Sequence, residues 1–294
     1  MKPASSPIAP WIPLLAGMIA ISFAPILVRS SDAPVSVQGM YRMLFTLVLM
    51  LPFGAKSIRE ARAVSRKDWL LLIAAGFFLA LHFLLWMASL NYTSIASSTI
   101  ILALEPVFVM IGAYFAFREK TNLLAVIGMG IALSGVIVVS SGDTGISRDA
   151  LFGDFLSFAG MLAVVANMLI AKRLLTRISS YLYSLVVFGV ASLFFALYNV
   201  AEGIAMVGYP AKEWGVFLLL AIVPTVFGHL IFNWLLQYVK ATTISIAVLA
   251  EPVGASLLGM MLFSEMVTLF QYVGGALVIA GLIFYLRYER RSHE

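Results

Sequence analysis

The most constraining feature of this sequence is a succession of apolar runs, each about 20 residues long, the length that a helix needs to cross the hydrocarbon core of a membrane. Short connections separate the runs. Hydrophobic residues make up 62% of the chain and charged residues only 11%, roughly half the charge that a water-facing surface carries. We therefore predict an all-α integral membrane protein with ten transmembrane helices. They lie near 11–29, 35–53, 69–90, 95–117, 122–140, 151–171, 181–200, 214–237, 242–263 and 267–287.

Residue types that the sequence lacks exclude or disfavour several kinds of chemistry. There is no cysteine, which excludes disulfides and thiol catalysis, and the three histidines are far apart, so we expect no metal site and no cofactor. The sequence contains no phosphate-binding loop motif, which disfavours ATP-driven transport by this chain alone. The first apolar run ends without a small-residue cleavage site, so we interpret it as a retained helix and not as a signal peptide.

The distribution of basic residues predicts the orientation in the membrane. The longest connection, 54–68, is rich in lysine and arginine, and such loops stay in the cytoplasm. Alternation then places all 19 basic residues on the cytoplasmic side except Arg29, Arg42, Arg148 and Lys212. This predicts a multi-pass protein of a bacterial inner membrane with both termini in the cytoplasm. The basic loops are expected to lie against anionic headgroups, not nucleic acid.

The second half of the sequence repeats part of the first at an offset of 146 residues. The ungapped match covers the last three predicted helices of each half and pairs the residues Tyr92/Tyr238, Glu105-Pro106-Val107/Glu251-Pro252-Val253, Glu119/Glu265, Gly128/Gly274 and Gly135/Gly281. Each half, 1–145 and 146–294, contains five predicted helices. Because five is odd, the second half enters the membrane inverted, an arrangement that recurs in transporters with a substrate site at the midplane.

These features resemble the drug/metabolite transporter superfamily, and among its branches the ten-helix EamA type. The resemblance rests on the two Glu-Pro-Val triplets, the glutamates that close helices 4 and 9, Arg42 within Tyr41-Arg42-Met43-Leu44, and the seven-residue glycine spacing in helices 5 and 10. It implies secondary transport, mostly export of amino acids, related metabolites or toxic compounds, with some importers. It also implies that helices 1–4 and 6–9 line a central cavity, with helices 5 and 10 at the periphery.

Glu105 and Glu251 are the first candidates for a functional role, since a charged side chain at the centre of a bilayer costs about 3 kcal/mol or more. Three interpretations stay open. Each carboxyl could hold a proton and release it when the cavity hydrates, could contact substrate, or could cap carbonyls freed by the adjacent Pro106 or Pro252, which would then act as hinges.

Arg42 lies about two turns into helix 2 and cannot be neutralised. It could pair with Glu105 or Glu251, or it could hold a substrate carboxylate.

Further polar and aromatic residues are candidates for the cavity wall. The two intramembrane histidines lie at similar depths, one position out of register at the offset of 146, and each could be a packing residue or a titrating cavity residue. One helical turn after each histidine stands a residue on the same face. These candidates are His82 with Trp86, His229 with Asn233, Asn167 in helix 6, and Ser98, seven residues before Glu105.

The glycines Gly128, Gly135, Gly274 and Gly281 form one ridge per helix and predict close helix packing, within the chain or between protomers. Glu119 and Glu265 lie at helix ends. Glu119 stands between Arg118 and Lys120, so we expect local ion pairing there, and the recurrence of the two glutamates offers a gate or loop anchor as the alternative.

The sequence predicts a secondary transporter, an exporter of a small organic metabolite such as an amino acid, working by alternating access with proton coupling as one option. Efflux of drugs or cations and metabolite import are the alternatives within the same fold. An intramembrane lipid-modifying enzyme and a structural subunit are less favoured. The expected partners are a small-molecule substrate and membrane lipids, with the protein a monomer or a homodimer.

Overall fold

The computed structural model describes residues 9–54, 59–93, 98, 101–140, 148–263 and 269–291. Within these ranges the chain is helical and contains no strand. The helices are α1 (Trp11–Ile21 and Ala24–Arg29), α2 (Val35–Met50, followed by a 3₁₀ turn Leu51–Phe53), α3 (Arg66–Ser89), α4 (Glu105–Phe117), α5 (Leu123–Ser140), α6 (Arg148–Leu174), α7 (Ser180–Ala201), α8 (Ala211–Leu220, Ala221–Leu230 and Ile231–Leu235), α9 (Ala241–Val248 and Glu251–Phe263) and α10 (Leu269–Arg291).

The predicted class of an all-α membrane protein is confirmed. Six of the described helices are long and apolar enough to cross a membrane: α1, α2, α3, α6, α7 and α8. The other four, α4, α5, α9 and α10, contain shorter apolar stretches, so the number of ten spans stays a prediction. Large apolar side chains such as Ile19, Phe155 and Leu193 point outward, as expected of a surface that contacts lipid.

Several helices are interrupted, and proline explains where. Turns interrupt α1 at 22–23 and α9 at 249–250, and a turn at 103–104 separates residues 101–102 from α4. Each following segment has proline as its second residue. The missing N–H of proline is tolerated there, because the first turn of a helix has no acceptor for it. The predicted continuous helix 4 is therefore wrong over its described part, where a turn separates 101–102 from Glu105–Phe117.

The middle of α8 is a π-helix, Ala221–Leu230, with Pro224 inside it. Proline in a helix interior leaves a carbonyl one turn earlier without its N–H partner, and the wider π-turn accommodates the ring. The hydroxyl of Thr225 donates to the Leu220 carbonyl at 2.8 Å, which replaces the bond that Pro224 cannot make.

Polar contacts tie the two ends of the bundle together. At one end, Ser31 Oγ and the Asp32 amide donate to the buried carboxylate of Glu213, while Lys212 pairs with Asp32 at 3.2 Å. We call this the 31–213 clasp. At the opposite end of α2, Asp68 pairs with Arg177 at 3.1 Å, and the Ser179 amide and hydroxyl both donate to Glu60 at 2.6 Å. We call this the 68–177 clasp.

α5 and α10 pack against each other along the glycine ridges. A Cβ added to Gly128 would lie 2.7 Å from the Tyr285 amide nitrogen, and one added to Gly135 would lie 2.6 Å from the Gly274 carbonyl. The earlier glycine of α5 meets the later residue of α10, and the later glycine meets the earlier residue, so the two helices run antiparallel. The structure thus places Gly128, Gly135 and Gly281 where two backbones approach too closely for a side chain, and the Gly274 carbonyl is one of the atoms in contact.

This packing makes a testable prediction for Gly281→Ala. The added methyl group would lie 2.7 Å from the Gly128 carbonyl oxygen and closer still to the Ala132 amide, so we expect destabilisation of about 1–3 kcal/mol, typical of overpacking. Gly130→Ala is the matched control, since no atom lies within 4 Å of its added Cβ, and it should leave the melting temperature unchanged or slightly raised. Thermal unfolding in detergent measures both, and equal melting temperatures would contradict the prediction.

Candidate functional site

Eight of the side chains singled out in the sequence line one cavity in the middle of the bundle. They are Arg42, His82, Trp86, Glu105, Asn167, His229, Asn233 and Glu251. α1, α2, α3, α4, α6, α8 and α9 all contribute to its described wall, together with the residues just before α4 and just after α8. The cavity has a volume of about 80 Å³, room for a few water molecules, so an occupant must be small or the helices must move to admit it.

The turn before α4 and the turn within α9 bring the two glutamates to this cavity. Glu105 and Glu251 are each the first residue of a new helical segment, where unpaired amides and the helix dipole favour a carboxylate. Glu105 is buried, and its Oε1 has no hydrogen-bond partner among the described residues. The two carboxyls lie close enough to interact electrostatically. Each helix break therefore places an acidic group on a buried wall.

Arg42 is fully buried and only partly satisfied. Its Nε donates to Thr225 Oγ1 at 2.6 Å, and its guanidinium carbon lies 4.2 Å from the centre of the Phe83 ring. Its terminal nitrogens Nη1 and Nη2 have no hydrogen-bond partner among the described residues. Buried donors are rarely left unpaired in proteins, so such donors on a cavity wall are ready for a ligand.

The ion pair that the sequence suggested for Arg42 does not form in this structure. No carboxylate in the described part of the chain lies within 4.0 Å of its guanidinium nitrogens. Arg42 and Glu251 still interact electrostatically across the cavity. A space between a cation and two acidic groups can accept a molecule that carries both charges.

The two histidines lie in an aromatic wall. His82 Nδ1 lies 3.0 Å from the Gly160 carbonyl oxygen, and its ring is parallel to that of Trp86, with centres 6.2 Å apart. The His229 ring meets Phe83 edge-on at 5.2 Å. His229 lies in the π-helix, where each residue turns the chain less than in an α-helix, so a mismatch of one position in the repeat still leaves both histidines on the cavity.

The two asparagines are held by neighbouring helices. Asn167 Nδ2 donates to the Ala75 carbonyl at 2.9 Å and lies 3.2 Å from the Tyr183 hydroxyl, and Asn233 Nδ2 donates to Ser184 Oγ at 3.1 Å. Tyr183 and Ser184 belong to α7, which contributes no described residue to the cavity wall. The expectation that helix 7 lines the cavity is therefore corrected: α7 orients residues that do.

Ser98 is placed elsewhere than the sequence suggested. Its Oγ lies 2.9 Å from Ser89 Oγ and 3.1 Å from Ser157 Oγ, and it is absent from the described cavity wall. A spacing of seven residues keeps two side chains on one face only in a continuous helix, and the chain turns at 103–104 between Ser98 and Glu105. Ser98 thus joins a cluster of serines that connects α3 and α6.

Of the two glutamates predicted at the ends of helices 4 and 9, the structure describes Glu119. Glu265 lies outside the described residues. The local ion pair expected for Glu119 is not found, because no basic residue in the described part of the chain lies within 4.0 Å of its carboxylate. Glu119 interacts electrostatically with Lys172 instead. Lys172 Nζ also donates to the carbonyls of Leu236 and Val239 at 2.9 and 2.6 Å, and so caps the end of α8.

Sequence reasoning missed two residues of the cavity region. Thr225 holds the Arg42 side chain, and Phe83 lies under its guanidinium group. The adjacent Pro224 was a usable signal for Thr225, because a hydroxyl beside an interior proline often replaces the missing backbone bond. Phe83 is one of 21 phenylalanines, and nothing in the sequence marks it.

Comparison with known proteins identifies the family. A model of the EamA-like transporter family matches residues 10–141 and 151–287. The chain belongs to the EamA-like transporter family. The resemblance drawn from the sequence is thus confirmed, and the family is part of the drug/metabolite transporter superfamily.

Its relatives carry transporter names without a substrate. An uncharacterized transporter of Archaeoglobus fulgidus is 26% identical, with 82% of this chain and 83% of the relative covered. Uncharacterized transporter YetK of Bacillus subtilis is also 26% identical, with 85% of this chain and 77% of the relative covered. One solved crystal structure matches the fold with a TM-score of 0.80 at 16% identity, covering 96% of this chain and 98% of the other. This EamA-family chain is a multi-pass membrane protein related to proteins named as transporters.

Proposed function

We propose that this EamA-family protein is a secondary active transporter that exports a small organic metabolite, such as an amino acid, by alternating access. One observation carries the proposal. A buried arginine whose two terminal nitrogens have no hydrogen-bond partner in the described part of the chain shares a small cavity with two carboxyl groups. A cavity with these groups is matched to a small molecule that carries both an acidic and a basic group.

An α-amino acid fits the two ends of this cavity. Its carboxylate would accept from Arg42 Nη1 and Nη2, the bidentate geometry in which arginine binds carboxylates most strongly. Its ammonium group would face Glu105 or Glu251. The aromatic rings of Trp86 and Phe83 would cover its side chain. A volume of about 80 Å³ favours a small substrate.

The proposal treats residues 1–145 and 146–294 as two inverted halves that rock about the cavity. The family model matches one range in each half, which supports the division. The clasps support it too. The 31–213 clasp joins the α1–α2 connection to the start of α8, and the 68–177 clasp joins the α6–α7 connection to the start of α3. An offset of 146 residues maps the α1–α2 connection onto the α6–α7 connection and the start of α3 onto the start of α8, so the two clasps are equivalent contacts. Rocking of the two halves would release one clasp at a time.

Proton coupling through the carboxyls is part of the proposal. Glu105 and Glu251 line the same cavity, and a proton taken from one face could exchange for substrate at the other. The prevalence of basic loops supports both termini in the cytoplasm of a bacterial inner membrane. Efflux of permanently cationic drugs is less favoured, because Arg42 would repel such a substrate within the same cavity.

A ligand screen by thermal unfolding tests the proposed substrate class. We expect amino acids to raise the melting temperature of the purified protein, while their carboxamides, nucleosides, polyamines and quaternary amines do not. A ligand at 100 times its dissociation constant stabilises the folded state by about 2.7 kcal/mol, which a melting curve resolves. A shift with polyamines or quaternary amines and none with any amino acid would refute the class and favour the cation-efflux alternative.

A further inference from the structure

A hydrogen bond fixes how His82 stands in the wall of the central cavity. Its ring nitrogen Nδ1 lies 3.0 Å from the carbonyl oxygen of Gly160 on α6. A Cβ added to Gly160 would lie 3.2 Å from the Trp86 amide nitrogen and 3.3 Å from the His82 carbonyl oxygen. α3 and α6 therefore approach closely at this level, and the bond to Gly160 holds the imidazole ring in place.

The partner of Nδ1 determines what the other ring nitrogen can do. A carbonyl oxygen only accepts hydrogen bonds, so Nδ1 carries the hydrogen, and Nε2 of a neutral ring then carries a lone pair. The positive charge of Arg42 on the same cavity wall opposes a second one on His82. Nε2 has no hydrogen-bond partner in the described part of the chain. Since His82 lines the cavity, this nitrogen is an unused acceptor for an occupant.

Trp86 adds a donor to the same wall. Its ring lies parallel to that of His82, with centres 6.2 Å apart, one helical turn further along α3. The indole is buried and lines the cavity, and its Nε1 has no hydrogen-bond partner among the described residues. Buried donors are rarely left unpaired in proteins. A neutral group that both donates and accepts would satisfy His82 and Trp86 together.

We propose that His82 is a specificity-determining residue, which accepts at Nε2 a hydrogen bond from the side chain of the substrate. The inference rests on the amino-acid transport proposed above, and it narrows the substrate to amino acids with a short side chain that carries a hydroxyl or a carboxamide. Such a group can donate to His82 and accept from Trp86. A cationic side chain would be repelled by Arg42, and an apolar one would leave His82 and Trp86 unpaired.

Two substitutions separate the roles of the two ring nitrogens. Asparagine carries its amide nitrogen on Cγ, as histidine carries Nδ1, so His82→Asn can keep the bond to Gly160 and leaves no acceptor at the position of Nε2. Glutamine carries its amide one bond further out, so His82→Gln can place an acceptor near that position but loses the bond to Gly160. A residue that serves only packing would tolerate asparagine better, whereas the proposed role needs glutamine.

Isothermal titration calorimetry of the purified full chain with two pairs of amino acids tests the proposal. The pairs are threonine with valine and asparagine with leucine, whose members have similar shapes and differ in the polar group of the side chain. We expect the wild type to bind the polar member about tenfold more tightly, because an apolar partner leaves a buried acceptor unpaired. This preference should disappear in His82→Asn, persist in part in His82→Gln, and be reduced in Trp86→Phe, which keeps an aromatic ring.

Controls separate this effect from misfolding. Trp69→Phe changes a tryptophan of α3 outside the described cavity wall and should keep the tenfold preference. Melting temperatures without ligand should be close to that of the wild type for His82→Asn and lower for His82→Gln, which loses the bond to Gly160.

Three results would overturn the proposal. Equal wild-type affinity within both pairs, with amino acids still bound, would refute this inference alone. Binding of no amino acid would refute it together with the proposed function. In His82→Asn, an equal loss of affinity for both members of each pair would show that His82 contacts a group common to all amino acids, and a preserved preference would show that it serves packing.

Discussion

Replacing Arg42 with methionine is expected to abolish amino-acid binding while leaving the protein as stable as the wild type, or more stable. Loss of one member of a buried charge pair weakens binding by about 2–5 kcal/mol, a factor of at least about 30. Stability should not fall, because Nη1 and Nη2 have no hydrogen-bond partner among the described residues and Arg42 forms no ion pair with a described carboxylate. A buried donor without a partner costs free energy, and methionine removes that cost.

The local hydrogen bonds support this expectation. Arg42 makes one side-chain hydrogen bond, to Thr225. When that bond is lost, the Thr225 hydroxyl still donates to the Leu220 carbonyl, so the variant leaves no new unpaired donor on Thr225. If Arg42 mainly served folding, its replacement would instead lower the melting temperature of the protein without ligand.

Thermal unfolding with and without each amino acid measures both effects. Arg29→Met, which removes an exposed arginine at the end of α1, serves as the control and should keep the ligand-induced shift. A large drop in the melting temperature of Arg42→Met without ligand would show that Arg42 is mainly a structural anchor. Retained amino-acid binding in that variant would refute its role in holding a carboxylate.

The second large effect is expected for Glu251→Gln in reconstituted vesicles. Glutamine keeps the shape of a protonated glutamate but cannot release a proton. Accumulation of substrate driven by an imposed pH gradient should therefore fall to the level measured without a gradient. Exchange of labelled for unlabelled substrate needs no net proton movement and should continue. The probe is the radiolabelled amino acid that stabilises the protein most in the ligand screen.

Two further variants help to interpret this measurement. Glu202→Gln changes an exposed glutamate at the end of α7 and should leave gradient-driven accumulation intact. Glu105→Gln tests whether the two carboxyls share the role, since they interact across the cavity. Gradient-driven accumulation that survives in Glu251→Gln would exclude coupling through that residue, and loss of exchange as well would indicate that Glu251 binds substrate.

Much of the fold and of the cavity could be predicted from the sequence, because both depend on patterns that hydrophobic burial imposes. Apolar runs of membrane length predicted the helical class, and polar residues within those runs predicted the polar part of the described cavity wall. Arg42, Glu105 and Glu251 were identifiable because a charge inside a membrane needs a specific reason. The repeat of 146 residues pointed to the two Glu-Pro positions at which α4 and α9 are interrupted.

The remaining features depend on local backbone geometry that periodicity does not report. Ser98 was placed in the cavity by assuming an unbroken helix, and the turn at 103–104 rotates it toward Ser89 and Ser157 instead. The π-helix around Pro224 could not be read from apolar spacing, so Thr225 was missed as the partner of Arg42. Phe83 could be recognised only from its three-dimensional contacts, because a phenylalanine in an apolar run has no distinguishing pattern.

The two clasps have a consequence for the conformational equilibrium of the protein. Both are formed in the same structure, one at each end of α2, and each consists of a few hydrogen bonds and an ion pair between corresponding segments. Under the alternating access that we propose, opening either end would break a similar set of contacts, so neither open state would be strongly favoured over the other. A difference of 1.4 kcal/mol between two states changes their population ratio about tenfold. Weakening a single clasp would therefore bias the resting population toward one side of the membrane without altering the cavity itself.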